Sequence, residues 1–198
     1  MSSIHAIVLA GGQGKRMGNV DKALVRVSGV RLIDAVLRQL PGPEIVTVVS
    51  PSETLDLPEG IRQVSEKPAG GGPVAGIAAA FDATCRYTMV LTVDAPHAPA
   101  LIAPLYRTLE RAKDADVAVV ESDDGQLQHL CQLWRTPALR KALDGVAAKH
   151  GGARDVAARE LIADVEMIKM PGTGEEKDYD TVEELSALGE VQVPEQDY

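Results

Sequence analysis

Apolar residues along this chain follow two rhythms. Short runs rich in β-branched side chains, Ile4 to Ala10, Ile45 to Val49, Tyr87 to Val93 and Val117 to Val120, predict buried strands. Between them apolar positions recur at three-to-four spacing: Leu32-Ile33, Val36-Leu37 and Leu40; Val74, Ile77, Ala78 and Phe81; Leu101, Ile102, Leu105 and Leu109. That spacing predicts helices with one apolar face. Strands alternating with helices of this length imply βαβ units, an α/β fold and a mostly parallel sheet. Ligands of such sheets bind beyond the carboxyl ends of the strands. The glycine-rich loop Gly11–Gly18 and Asp94 both fall at such ends.

The second half is less regular. Leu127 to Trp134 predicts a strand, Pro137 to Ala148 a helix, Arg154 to Leu161 a second helix and Val165 to Met170 a late strand. Pro171-Gly172-Thr173-Gly174 reads as a loop. Thr181 to Leu188 starts a helix, with Thr181 as N-cap and Glu184 three residues later forming a capping box. Gly189 to Tyr198 is polar and acidic and is expected to be frayed. With no internal repeat and no linker, residues 1–198 read as a single domain.

Composition narrows this picture. Hydrophobic residues make up 45% of the chain but aromatics only 3%, so Ala, Val, Leu and Ile must fill the core, as they do around buried parallel sheets. The net charge of −9 argues against nucleic acid or an anionic membrane as a non-specific partner. The charge is uneven. Residues 1–43 carry Lys15, Arg16, Lys22, Arg26, Arg31 and Arg38 against Asp21 and Asp34, a local excess of +4 in an acidic protein. That reads as a local anion site. Cys85 and Cys131 belong to no ligand cluster and read as buried thiols of a reducing compartment. The first apolar run ends in a glycine loop, so it is a strand and no signal peptide, and no apolar stretch approaches bilayer length. A cytoplasmic location is the expectation.

The chemistry starts at Leu9-Ala10-Gly11-Gly12-Gln13-Gly14-Lys15-Arg16-Met17-Gly18, followed by Asp21-Lys22. A buried strand running into glycines and three cations suits a small polyanion. Without Cβ atoms the backbone N–H groups can approach phosphate oxygens, and the cations neutralise the remaining charge. No G-K-[ST] closes the loop and its glycines do not space as G-x-G-x-x-G, so it is neither a Walker A loop nor the dinucleotide fingerprint. Asp94 ends an apolar strand before Ala95-Pro96. A carboxylate there suits Mg²⁺, which takes one or two protein oxygens plus phosphates; the plainer reading is a turn Asp bonding its own backbone.

The pattern L-A-G-G-x-x-x-R-M-G-x-x-D-K resembles the opening of the molybdenum cofactor guanylyltransferases, in the MobA-like NTP transferase superfamily. Gly70-Gly71-Gly72-Pro73-Val74-Ala75-Gly76 is similar to that family's G-P-L-A-G segment and Val93-Asp94-Ala95-Pro96 to its D-x-P strand end. Asp178-Tyr179-Asp180-Thr181 falls where the family has N-x-N-T. The blocks keep family order over residues 6–188. The resemblance implies a three-layer α/β/α sandwich with the Rossmann-like nucleotidyltransferase fold. It implies that Leu9, Ala10, Gly11 and Gly12 meet the nucleotide through their backbone, that Lys15 and Arg16 hold the triphosphate, and that Lys22 sits on the α-phosphate. Asp94 and Asp180 would hold the metal, with Arg16, Lys22 and Asp94 as the catalytic set.

Two departures bear on selectivity. Asp178 and Asp180 replace family asparagines while remaining hard oxygen ligands. Lys67 stands where the family has a base-reading acid, with Glu66 just before it; a carboxylate accepts both N–H donors of a guanine edge and an ammonium does not. Glu66 or backbone near Gly72 would then read the base. Gly151-Gly152-Ala153-Arg154 is similar to a family G-x-R element and reads either as a phosphate site or as a turn. His129, alone among apolar neighbours, reads first as a satisfied structural histidine and otherwise as a polar step toward the acceptor.

The reading is thus an enzyme, a Mg²⁺-dependent nucleotidyltransferase moving GMP from GTP to the phosphate of a molybdopterin-type acceptor with release of pyrophosphate, as a monomer or small homo-oligomer. The alternatives are a cytidylyl- or phospholactate guanylyltransferase and a non-catalytic nucleotide-binding homologue.

Overall fold

A computed structural model describes residues 3–11, 17, 20–51 and 55–194. Strand β1 (Ile4–Leu9) is followed by the short strands β2 (Arg26–Val27) and β3 (Val30–Arg31) and by helix α1 (Leu32–Gln39). Next come β4 (Ile45–Val49), β5 (Arg62–Val64), α2 (Pro73–Ala80), β6 (Tyr87–Thr92) and α3 (Ile102–Arg111). Strands β7 (Val117–Glu121) and β8 (Leu127–Arg135) precede α4 (Thr136–His150), and β9 (Met167–Pro171), α5 (Val182–Ser186) and β10 (Val191–Gln192) close the described chain.

The main sheet has the order β5-β4-β1-β6-β8-β7-β9. β1 pairs in parallel with both β4 and β6, and β7 in parallel with β9, while β8 runs antiparallel to β6 and β7. The mostly parallel sheet is therefore as expected, with one reversed strand. The chain lays β4 and β5 on one side of β1 and then returns to lay β6 on the other. Strand order thus switches between β1 and β6, where open α/β sheets form their ligand crevice.

Helices cover both faces. Ile102, Leu105 and Leu109 of α3 pack on Tyr87, Met89 and Leu91. On the opposite face Val74, Ile77 and Ala80 of α2 and Leu139, Leu143 and Val146 of α4 meet Ile7, Val49, Val90, Val119 and Trp134. Both faces of β1 and β6 are closed to water, which is why their sequences are continuous apolar runs.

Two expectations are corrected. Residues 154–161 form no α-helix: Gly151, Gly152 and Asp155 take positive φ, and a 3-10 turn follows at Ala158–Ile162. Val156 before this turn and Leu161 and Ile162 within it still join the core, and Ala158 is buried as well, so the apolar spacing is satisfied without the α period. The tail is not frayed from Gly189 onward, because β10 pairs antiparallel with β2, and β2 with β3, in a second sheet. The Ser28 N–H also donates to the Glu190 carbonyl at 2.7 Å. Residues 195–198 lie outside the described residues. Among the described residues no helix is long and apolar enough to cross a membrane.

Candidate active site

The carboxyl ends of β1 and β6 are tied together where they meet the crevice. The Val93 N–H donates to the Leu9 carbonyl at 3.0 Å, and the Ala10 N–H to the Val49 carbonyl at 2.8 Å. Much of the Leu9 and Ala10 backbone thus serves the sheet, and Gly11 begins the loop above it. Gly12, Lys15 and Arg16 lie outside the described residues.

Beyond the loop, Asp21 shapes the chain. Its Oδ1 accepts from the Ala23 N–H at 3.0 Å and caps a 3-10 turn over Lys22–Leu24. The turn points Lys22 inward. Its side chain is only 8% exposed, and Nζ donates to Asp94 Oδ2 at 3.0 Å and to Asp180 Oδ1 at 2.6 Å. Three segments remote in sequence therefore converge on one ammonium. Burial alone would lower the Lys22 pKa, but the Asp94 and Asp180 carboxylates outweigh it and hold the pKa above its usual value. The group is charged throughout the neutral range.

Asp180 is placed by its own backbone. Glu184 Oε2 accepts from the N–H groups of Asp180 at 2.7 Å and Thr181 at 3.0 Å, and Thr181 Oγ1 accepts from the Glu184 N–H at 3.1 Å. This is the expected capping box, and it anchors the first turn of α5. The Tyr179 N–H donates to the Asp94 carbonyl at 2.9 Å, locking the two carboxylate-bearing segments together. Asp178 takes a different part. Burial, together with the nearby Asp94 and Asp180 charges, pushes its pKa up. Of the two late aspartates, the geometry pairs Asp180 with Lys22.

The donor set fits a divalent cation. Asp94 and Asp180 offer hard oxygens to one point, and Asp178 is close enough for its charge to be felt there. Among the described residues no three His, Cys, Asp or Glu side chains form a metal-binding group by themselves. A cation here would rest on two carboxylates, with phosphates and water completing its shell.

The second glycine segment is built by clasping. Glu66 Oε1 accepts from the Gly71 N–H at 3.1 Å, and the Gly71 carbonyl accepts from the Asp155 N–H at 2.7 Å. Gly72, at φ 86°, is the N-cap of α2, a backbone conformation that side-chain-bearing residues rarely adopt. Lys67 is exposed. Arg154 Nη1 donates to the Pro68 carbonyl at 3.0 Å, so this arginine supports the loop. The sequence did not reveal these bonds, since nothing in residue spacing links Gly71 to Asp155. His129 also departs from expectation: its Nδ1 is buried without a hydrogen-bond partner, so it is not a satisfied structural histidine.

Comparison with known proteins agrees with this architecture. Residues 6–165 match the family model described as the MobA-like NTP transferase domain. The chain is 37% identical over 148 residues to a probable molybdenum cofactor guanylyltransferase of Opitutus terrae, covering 71% of each chain. It is 31% identical over 146 residues to the molybdenum cofactor guanylyltransferase of Shewanella baltica, covering 72% of this chain and 74% of that one. Among solved structures, molybdopterin-guanine dinucleotide biosynthesis protein A of Archaeoglobus fulgidus superposes with a TM-score of 0.72 at 21% identity, over 93% of this chain and 96% of that one. The 2-C-methyl-D-erythritol 4-phosphate cytidylyltransferase of Francisella tularensis gives 0.73 at 15% identity, over 94% and 98%; both likenesses concern the fold.

Proposed function

The chain belongs to the MobA-like NTP transferase family and is a nucleotidyltransferase, and from that premise we propose that it moves GMP from GTP to the terminal phosphate of a molybdopterin-type acceptor. The observation that carries the reading is the Lys22 ammonium held between Asp94 and Asp180 at the switch point of the sheet. In-line attack on the α-phosphorus by an acceptor phosphate oxygen adds negative charge to the non-bridging oxygens and to the departing pyrophosphate. Lys22 would meet that charge at the α-phosphate, with Lys15 and Arg16 on the β- and γ-phosphates. The backbone of Leu9, Ala10, Gly11 and Gly12 would seat the nucleotide, and Glu66 and Gly72 would face the base. The acceptor phosphate is itself the nucleophile, so no protein nucleophile is required.

Asp94 and Asp180 would hold Mg²⁺, which when bound supplies positive charge to the phosphate oxygens. Before nucleotide arrives Lys22 offsets part of the charge of these carboxylates, which would otherwise repel one another and the triphosphate more strongly. A preorganised cation of this kind contributes about 10²–10³-fold in rate. Lys22→Ala and Asp94→Ala should therefore each lower pyrophosphate release from GTP and acceptor by at least about a hundredfold. Folding of both variants is checked by circular dichroism, since either change leaves a buried charge less well compensated. GTP with Mg²⁺ should raise the melting temperature more than CTP or ATP does. An equal shift with CTP would remove the guanylyl assignment, and tight GTP binding with no turnover of any phosphorylated acceptor would remove the transfer itself.

A further inference from the structure

The segments that carry Asp94 and Asp180 are fixed against each other. The bond from the Tyr179 N–H to the Asp94 carbonyl ties them, and the Glu184 carboxylate grips the N–H groups of Asp180 and Thr181. Tyr179 and Leu185, on either side of Asp180 in sequence, are anchored in the core. The two segments therefore cannot part, whatever stands between the carboxylates. A pinned pair of like charges is unfavourable unless something positive lies between them. Here that charge is the Lys22 ammonium, 3.0 Å from Asp94 Oδ2 and 2.6 Å from Asp180 Oδ1.

The ammonium is the movable member of the cluster. Its main chain is held, because Asp21 caps the turn it belongs to and the nearby Ala23 and Val25 have no exposed surface. The side chain, by contrast, is a flexible four-carbon stem. It is only 8% exposed, against 23% for Asp94 and 36% for Asp180. Solvent reaches the carboxylates far better than it reaches the cation between them. Moved off them without a new partner, Nζ would be a buried charge left unpaired. It can leave only for another anion.

A divalent cation competes for this place. An ion held by both carboxylates either takes the oxygens that Lys22 now bonds or sits beside its charge in a half-buried setting, where repulsion is strong. Lys22 and the metal therefore exclude one another at this pair. A nucleotide resolves the conflict, since its α-phosphate is an anion to which Lys22 can go. We propose that Lys22 is an exchangeable cation: the nucleotide-free protein refuses a lone divalent ion, and the site takes the metal only together with a nucleotide whose phosphate draws Lys22 off Asp94 and Asp180. The proposal rests on the reading that these two carboxylates hold the metal. Such coupling is reciprocal, so metal and nucleotide raise each other's affinity by the same factor.

Mn²⁺ serves as the probe, because the free ion gives a paramagnetic resonance signal that binding removes. Titrated into the full chain without nucleotide, it should bind Lys22→Met at least about tenfold more tightly than the parent. A second measurement needs no loss of charge. In parent protein labelled with ¹⁵N at lysine, the Lys22 Nζ signal is assigned from its absence in Lys22→Arg. Millimolar Mg²⁺ alone should leave that signal in place, and a GTP analogue with a non-cleavable α–β bridge should move it once Mg²⁺ is present. Mn²⁺ binding to Lys22→Met no tighter than to the parent would overturn the proposal. So would a Lys22 signal that Mg²⁺ alone displaces, or that the analogue with Mg²⁺ leaves unmoved. Adding Asp94→Asn to Lys22→Met separates the exchange from the metal reading. If the double variant keeps the Lys22→Met affinity, the metal reading fails and the proposal with it. If it loses that affinity while the parent binds Mn²⁺ as well as Lys22→Met does, only the exchange fails.

Discussion

His5 lies in β1 with no exposed surface, and its Nε2 hydrogen-bonds the Thr47 hydroxyl at 2.8 Å while Nδ1 has no partner. Burial, with a smaller push from Arg62 against the pull of Asp82, lowers its pKa from 6.5 to about 4. Above pH 6.5 the ring is neutral in folded and unfolded chains alike and adds no pH dependence. Between pH 6.5 and about 4 the unfolded chain takes up a proton that the folded one refuses, so acidification costs stability, on the order of 3 kcal/mol across the window. Urea unfolding at pH 7 and pH 4.5 should show this loss, and His5→Gln should remove most of it. At the same scale, the candidate site was only half legible. Asp94 and Lys22 stand out because each follows a strand or glycine loop where charge has no packing role. The bond from Lys22 to Asp180 spans 158 residues of sequence, and no local pattern encodes it. Glu66 was identifiable as the nearest acid, but its commitment to the Gly71 N–H is a product of the folded loop.

Helix α2 shows what the crevice demands of an element. A Cβ on Gly76 would lie 3.1 Å from Val49 Cγ1 and 3.2 Å from Leu9 Cδ2, so the missing side chain lets α2 sit close on β1 and β4. Gly76→Ala should stay within about 1 kcal/mol of the parent, because a helix gains from alanine what the tight contact takes away. Gly76→Val should destabilise by about 2 kcal/mol in chemical denaturation, since two further methyl groups must displace the sheet. Elements with a full apolar period, namely β1, β4, β6, β7 and α1 to α3, were legible in the sequence. β5 was not, because its Arg62-Gln63-Val64 is a mostly exposed edge with no alternation to detect. β2, β3 and β10 are two residues each, shorter than any periodicity. The 151–162 segment misled because its buried residues repeat at helical spacing while its glycines and Asp155 turn the backbone out of the helical region.

At the scale of the whole molecule, the segment from Asp178 to Gln192 wraps over the region from Lys22 to Arg31. Leu185, fully buried, and Tyr179 share a core with Val25, Leu32 and Ile33. Removing residues 189–198 should lower the unfolding free energy by about 1–3 kcal/mol through the lost β10 pairing and the Ser28–Glu190 bond, and a thermal melt would register it. The same small sheet has a consequence in time. Val27 and Val191 pair across nearly the whole described chain, and contacts of such separation close slowly because the loop between them must first be ordered. The seven-stranded sheet can assemble from residues made earlier. Lys22 acquires its second carboxylate only when the segment after β9 folds back, so on the ribosome every strand of the seven-stranded sheet is made before Asp180 can complete the charge cluster.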